Sequence, residues 1–355
     1  MTVQAIILAA GLSSRMTEFK PLLPVGGTTA IRRTIDCAAT CGTAPIVVTG
    51  HRADELTRAI VGVNVTIAHN DEFRTGMFSS VQTGLRALSG DCDAFFLLPA
   101  DCCAVSPNML QTLISRYVPS DDAILYPTHA GRRGHPPLIP AKYADGLLKH
   151  DGSDGARGYL HPQPSRDIPV DDAGILLDMD TPDDYAKLLR YLGFPTFPAD
   201  AETLLSALGT APDIAEHGRH VAATALKIAE TCAVDVNREL LRAAALLHDI
   251  ERARDEHAAV GAATLMRLGY PDCAKLVARH MDAPDYDASN EEKLLYLADK
   301  LCRRGEIVPP SVQTARMREK FAGDEDAIAA AERKMSRAVE LLCEFGLTES
   351  DLSNL

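Results

Sequence analysis

Apolar runs of strand length recur through the first half of the chain: AIILAA (5–10), PIVVTG (45–50), NVTIAH (64–69), DAFFLLPAD (93–101) and AILYPT (123–128). Between several of them, apolar residues return every three to four positions, over 28–41, 52–60, 78–89 and 106–117. Continuous apolar runs suit strands buried on both faces, and intervening helices supply the crossovers that parallel strands need. The pattern predicts an α/β domain over residues 1–193, doubly wound about a mostly parallel, Rossmann-like sheet. In such sheets ligands bind beyond the carboxyl ends of the strands.

The texture then changes. Residues 193–212, GFPTFPADAETLLSALGTAP, hold three prolines and two glycines around one short helical turn. Residues 194–212 therefore read as a linker with a short helix. Beyond it strand-like runs disappear. Helical patterns cover 213–231, 236–249, 257–268, 271–281, 290–303, 311–320 and 324–345, rich in Ala, Leu, Glu and Arg. Residues 213–355 are expected to form an all-α domain. Two domains also suit a length of 355 residues.

Composition narrows the setting. No apolar run approaches the ~20 residues of a membrane span, and the apolar start lacks the basic segment of a signal peptide. The net charge of −13 argues against a nucleic-acid binder. Residues 1–193 hold 17 basic and 21 acidic residues (net −4), and the remainder holds 19 and 28 (net −9). Nine cysteines without a C-x-x-C pair suggest reduced thiols and a cytoplasmic protein.

The first strand runs into LAAGLSSRMTEFKPLLPVGG (8–27). Leu8, Ala9, Ala10, Gly11 and Ser13 form a loop of mostly small residues whose backbone N–H groups can cradle an anion. Arg15 and Lys20 add fixed positive charge suited to phosphate. Asp101 ends an apolar strand, where a ligand belongs, and Asp180 lies in DMDTP. Mg²⁺ takes carboxylates together with phosphate oxygens.

The loop, with NDEFRTGMFSSVQTGL (70–85), LLPADCCAVSPNML (97–110), RRGHPPLI (132–139), GARGYL (155–160) and LDMDTPDDY (177–185), resembles the molybdenum-cofactor-type nucleotidyltransferases over about 185 residues. The resemblance implies transfer of a nucleotide from an NTP to a phosphorylated acceptor, with release of pyrophosphate. Asp101 and Asp180 would hold Mg²⁺, with Asp178 a less favoured third ligand. Arg15, Lys20 and Asp101 would be catalytic. Leu8, Ala9, Ala10, Gly11, Ser13, Arg15, Lys20, Asn70, Gly76 and Ser80 would bind nucleotide, and His135 and Arg157 the acceptor. Ala10 resembles the members that use CTP with a molybdopterin or molybdenum-cofactor acceptor, and these imply a molybdoenzyme or its maturation chaperone as a protein partner. Thr17 and Cys102-Cys103 depart from the family pattern. They leave a sugar or alditol phosphate open as the acceptor.

In the second half, LLHDIERARDEH (246–257) ends a buried-looking helix with His248-Asp249. His217, His257, His280 and Asp299 extend the pair to H…HD…H…H…D, a donor set suited to transition ions. The constellation resembles the HD-domain metal-dependent phosphohydrolases, including the small bacterial dinucleoside polyphosphate hydrolases. That resemblance implies hydrolysis of a phosphate ester or anhydride, such as that of a nucleotide, at one or two divalent ions such as Mn²⁺ or Fe²⁺. Asp249 would bridge the ions and serve catalysis. His217, His248 and Asp299 would hold one ion, and His257 and His280 the other. Arg252 and Arg254 are candidates for substrate phosphate, and His220 for a supporting role. The alternative is a nucleotide-sensing module without turnover.

Overall fold

The computed structural model describes residues 1–16 and 18–354, so Thr17 lies outside the described residues. The chain forms two compact units, Met1–Phe194 and Pro195–Leu355.

The first unit is built on an eight-stranded sheet. Its strands run in the order Ser165–Pro169, Ile124–His129, Leu138–Pro140, Ala94–Pro99, Val3–Leu8, Ile46–Thr49, Thr66–His69, with Arg132–Arg133 paired to Ile124–His129. Val3–Leu8 lies centrally, parallel to both neighbours. Leu138–Pro140 runs antiparallel to Ala94–Pro99 and to Ile124–His129. The sheet is thus mostly parallel. Alternation at period two sorts its side chains into two cores. Ile7, Val47, Phe96 and Leu98 face one way, against the helices bearing Ile31, Ile35, Met109 and Leu113. Ile6, Ile46, Val48 and Phe95 face the other, against the helix bearing Val81 and Leu85. A sheet covered on both faces explains why its strands read as unbroken apolar runs.

The expected strands are found, trimmed by a few residues. Val3–Leu8 begins earlier than 5–10 and ends at Leu8, which leaves Ala9 and Ala10 to the loop beyond. The short pairs Pro24–Val25 with Thr28–Thr29 and Ile124–His129 with Arg132–Arg133 carry too few residues to show a period.

The second unit is helical: Ala201–Ala207, Pro212–Thr231, Arg238–Leu247, His257–Arg267, Pro271–Arg279, Asn290–Leu301, Pro310–Lys320 and Glu325–Glu344. Ala243 to Leu247 are all buried, so their helix runs through the core. One departure from an all-α domain follows Leu301. Arg304 and Gly305 take left-handed φ values of 49° and 82°, and fold Cys302–Arg303 back on Glu306–Ile307 as a two-residue hairpin. The expected helix 290–303 therefore stops at Leu301.

Candidate functional sites

In the first unit, the ladder ends at Leu8. Ala9 N–H still donates to the Val48 carbonyl and His51 N–H to that of Ala10, so the loop leaves from the carboxyl end of the sheet. Ala9 and Ala10 are buried. Ser13 adopts a left-handed φ of 54°, and its Oγ accepts from Lys20 N–H at 3.2 Å. This closes the loop and aims Lys20 inward.

Lys20 Nζ lies 2.6 Å from Asp180 Oδ1 and 3.4 Å from Asp101 Oδ2, and Arg15 Nη1 lies 2.7 Å from Asp180 Oδ2. Partial burial and the neighbouring Asp180 and Asp101 raise the pKa of Asp178. The structure therefore gathers three carboxylates, one ammonium and one guanidinium from segments far apart in sequence. Neither carboxylate end of this cluster caps a helix. Ser106 caps Pro107–Arg116, and Thr181 caps Pro182–Tyr191 with a reciprocal bond from Asp184. A cation already sits where Asp101 and Asp180 converge, so the donor set suits a hard divalent ion shared with phosphate oxygens.

The other front-domain residues fall into two groups. His135 and Arg157 line one cleft of about 670 Å³ with Leu8, Met77, Leu97 and Tyr126. Asn70 and Ser80 do not open to it. Both are buried, and Asn70 Nδ2 is spent on Ser79 and Ser80 at 2.9 Å each. They hold the loop that Gly76, at φ 128°, turns into helix Met77–Arg86. Gly11 is open on its Cβ side. Cys102 and Cys103 are buried thiols, and burial pushes Cys103 up to about 12 and Cys102 well above its ordinary value. They are poor nucleophiles.

The second unit brings six sequence-distant ligand-type residues together. His217 projects from Pro212–Thr231, and His248 follows Arg238–Leu247 as its C-terminal cap. His257 opens its helix, His280 caps Pro271–Arg279, and Asp299 lies in Asn290–Leu301. The two carboxylate oxygens of Asp249 face different imidazoles. Oδ2 is 3.3 Å from His248 Nε2 and 3.8 Å from His217 Nε2. Oδ1 is 3.3 Å from His257 Nε2 and 3.6 Å from His280 Nε2. Asp299 Oδ1 joins the first group, 3.2 Å from His217 and 3.5 Å from His248.

These contacts do not satisfy the site. His248 Nε2, His257 Nε2, His280 Nε2 and Asp249 Oδ1 are buried without a hydrogen-bond partner. Orphaned buried polar atoms are costly, and four converging on one point call for a ligand. Two overlapping triads, His217/His248/Asp249 and Asp249/His257/His280, place their donor atoms within 4.8 Å of one another. Nδ1 of His248 and Nδ1 of His280 each lie 2.8 Å from a backbone carbonyl, of Ala245 and Val277. A donated N–H there leaves Nε2 as the inward atom, the arrangement metal-binding imidazoles use. The donors fit one or two divalent ions.

Neighbouring cations balance the carboxylates of the site. Burial disfavours the His248 imidazolium, but Asp249 and Asp299 outweigh it and raise the pKa to about 10. Asp249 stays ionised despite burial, because the imidazoles of His248 and His280 and the Arg252 guanidinium stand beside it and favour its charge. Lys300 Nζ lies 2.5 Å from Asp299 Oδ2. Arg254 is exposed and paired with Glu251 at 2.9 Å, away from the cluster. His220 Nδ1 lies 2.9 Å from the Glu216 carbonyl, and its ring packs on the Gly305 turn.

Three contributors escaped the sequence reading. Gly218 follows His217, and a Cβ there would meet the Leu246 carbonyl oxygen at 2.6 Å. Its absence lets two helices approach until the His217 and His248 rings stand 5.2 Å apart. Lys300 and Arg303 line a cleft of about 400 Å³ with Asp249, His257 and Asp299. Their spacing from Asp299 was the available signal.

Comparison with known proteins follows the same division. The model of the MobA-like NTP transferase domain matches residues 5–167, and that of the HD domain matches residues 214–304. The molybdenum cofactor cytidylyltransferase of Escherichia coli (strain K12) is 32% identical over 184 residues, 52% of this chain and 93% of that protein. The crystal structure of Rv0371c from Mycobacterium tuberculosis H37Rv shares 27% identity, covering 54% of this chain and 98% of that one, with a TM-score of 0.49. A nucleotidyl transferase from Methanothermobacter thermautotroptrophicus shares 25% identity over 54% of this chain and 98% of its own, with a TM-score of 0.48.

Proposed function

From the premise that this chain belongs to the MobA-like NTP transferase family through its first domain and carries an HD domain in its second, we propose a bifunctional enzyme. The first domain transfers CMP from CTP to molybdopterin or its molybdenum form, and the second hydrolyses a nucleotide-type phosphate ester or anhydride. The relative's name and Ala10 support CTP and the pterin acceptor.

The convergence of Lys20 and Arg15 on Asp101 and Asp180 carries the transferase reading. Nucleotidyl transfer depends on positioning and charge neutralisation. An acceptor phosphate oxygen forms a bond to the α-phosphorus, and the bond to the β-phosphate oxygen breaks with its electron pair, releasing pyrophosphate. The loop N–H groups, Arg15 and Lys20 bind the triphosphate. Asp101 and Asp180 would hold Mg²⁺, which neutralises phosphate charge when bound. His135 and Arg157 grip the acceptor in the neighbouring cleft.

The orphaned imidazole nitrogens around Asp249 carry the hydrolase reading. Asp249 would bridge two ions, His217, His248 and Asp299 completing one shell and His257 and His280 the other. Such ions, Mn²⁺ or Fe²⁺ on this donor set, supply an activated water and stabilise phosphoryl oxygens. Arg252 fixes the Asp249 carboxylate and Lys300 that of Asp299. No helix among the described residues is long and apolar enough to cross a membrane, and we place the enzyme in the cytoplasm.

Both halves are tested together. Purified protein is incubated with CTP, GTP or ATP against pterin and sugar-phosphate acceptors, and with a phosphoester panel in Mn²⁺, Fe²⁺ or Mg²⁺. Pyrophosphate release only with a sugar phosphate overturns the pterin acceptor. Bound metal without turnover of any phosphoester overturns the hydrolase.

A further inference from the structure

Beside the metal-type centre, Arg303 differs from Arg252 and Lys300. Arg252 is consumed by Asp249 and Lys300 by Asp299. Among the described residues no carboxylate lies within ion-pair distance of Arg303, and Glu306, its register partner across the hairpin, makes no ion pair with it. A guanidinium carries five donors and no acceptor, and it is matched by a carboxylate or phosphate.

Arg303 is nonetheless held in place. Its Nε donates to Gln313 Oε1 at 3.0 Å. Gln313 is only 3% exposed, and its Nε2 donates to the carbonyls of Lys300 and of Val308, the latter at 3.0 Å. With both amide hydrogens used, its oxygen is fixed toward Arg303. Fixing Nε leaves the terminal nitrogens for another partner. Arg303 lines the cleft that holds Asp249, His257 and Asp299, and also the adjoining cleft that holds His217. The first cleft contains Lys334 as well, on a wall of Met281, Met317, Phe321 and Met335. The first sets Arg252, Lys300, Arg303 and Lys334 against Asp249 and Asp299, and the second sets Arg252, Arg303 and Arg304 against Asp213 and Glu216, so an anion is favoured in the first.

We propose that Arg303, oriented by Gln313, is the anchor of a second anion subsite, which binds an anionic group of the substrate other than the phosphoryl group at the metal centre. The inference rests on the hydrolase reading for the term substrate, but not for the subsite. The chemistry it recognises is a phosphoryl or carboxylate group joined to the attacked phosphoryl through a short link. Gln313 is a positioning residue; it touches the guanidinium only.

The test uses full-length, Mn²⁺-loaded protein in a Lys20→Ala background, so that the front loop does not dominate anion binding. Phosphate, methylenediphosphonate and phosphonoacetate are titrated by calorimetry. Methylenediphosphonate or phosphonoacetate should bind more tightly than phosphate, and the one that does identifies the second group. Arg303→Met should weaken that ligand about tenfold, the value of one charged hydrogen-bonded contact, with phosphate little changed. Arg303→Lys should recover part of the loss. Gln313→Met should weaken the same ligand without altering metal content, a split that a merely structural role would not give. Metal content and melting temperature identify any variant that fails to fold, and Arg303→Lys then carries the comparison. Equal loss for all three anions, or no loss for any, overturns the proposal. An Arg303-dependent preference that persists when no phosphoester is turned over sinks the hydrolase reading and leaves the subsite standing.

Discussion

In the first domain, Asp101 and Asp180 meet Lys20 and Arg15, cations supplied by the loop that leaves the central strand. In the second, Asp249 and Asp299 meet four imidazoles carried by helices or their caps, and buried nitrogens remain without partners. The front cluster is partly open and electrically paired within itself. On the proposed reading, a divalent ion would gain little there until a triphosphate paired with Lys20 and Arg15 and contributed its own oxygens. The rear cluster is buried and short of partners, so the protein alone provides a nearly complete shell. On the proposed reading, the first would hold a metal only together with its substrate, and the second could hold one with its own donors.

Asp249→Ala breaks the rear half of that comparison most completely. It removes the carboxylate both triads share. Bound Mn²⁺ or Fe²⁺, measured by elemental analysis after gel filtration, should fall to background, with CMP transfer unchanged. Retained stoichiometric metal would show that the imidazoles suffice without the bridge. Lys20→Ala attacks the front half. Loss of one preorganised cationic donor should cost transfer about 10²–10³ in kcat. Rear-site metal content should not move, because the two clusters share no residue. An unaffected transfer rate would remove Lys20 from the chemistry.

Gly218→Ala tests whether the rear site owes its rigidity to helix packing. The added methyl meets backbone, the Leu246 carbonyl oxygen, so the helices must separate. Overpacking of this kind costs about 1–3 kcal/mol. Displacing His217 from His248 should weaken metal binding by about 10–100-fold, as lost ligand support does elsewhere. Thermal melting and chelator competition read the two effects separately.

The same site sets a pH dependence. His248 is raised to about 10 by Asp249 and Asp299, against burial, so the metal-free protein keeps its proton at neutral pH. A divalent ion must displace that proton. Below this pKa, apparent affinity should rise about tenfold per pH unit for each proton released. The stability of the metal-free fold runs the opposite way. For a group raised in the folded state, the His248 contribution is fully present below its ordinary value and fades as pH rises toward 10. Melting temperatures with and without chelator should therefore diverge as pH increases. A constant gap would mean that His248 is not a ligand.

The apolar runs of the front domain were readable because a sheet buried on both faces leaves almost no polar positions in its strands, as in Ala94–Pro99. The long rear helices were equally plain. The hairpin after Leu301 was not, since two strand residues on each side carry no period and only Arg304-Gly305 mark the turn. The site divides similarly. Asp249 and the four imidazoles were legible as residue types with few other reasons to occur in apolar helices. Gly218, Lys300 and Gln313 act through close approach, ion pairing and a buried amide. Those roles depend on partners dozens of residues away.

The smallest expected effect sharpens the account of the front site. Cys102 and Cys103 follow Asp101 directly, where a reactive thiol would change the mechanism from direct to covalent transfer. Both side chains are buried against the sheet and next to Asp101. With Cys103 pushed up to about 12, the thiolate fraction at pH 7 is on the order of one in 10⁵. Arg33, the one cation that would lower Cys103, is bound through Nε to its carbonyl at 2.9 Å. Cys103→Ala should leave the pH profile and kcat of CMP transfer unchanged within about twofold, and cost about 1 kcal/mol of stability for a small buried group. A rate fall of two orders of magnitude, or a CMP–thiol adduct by mass spectrometry, would replace charge neutralisation with covalent catalysis at this site.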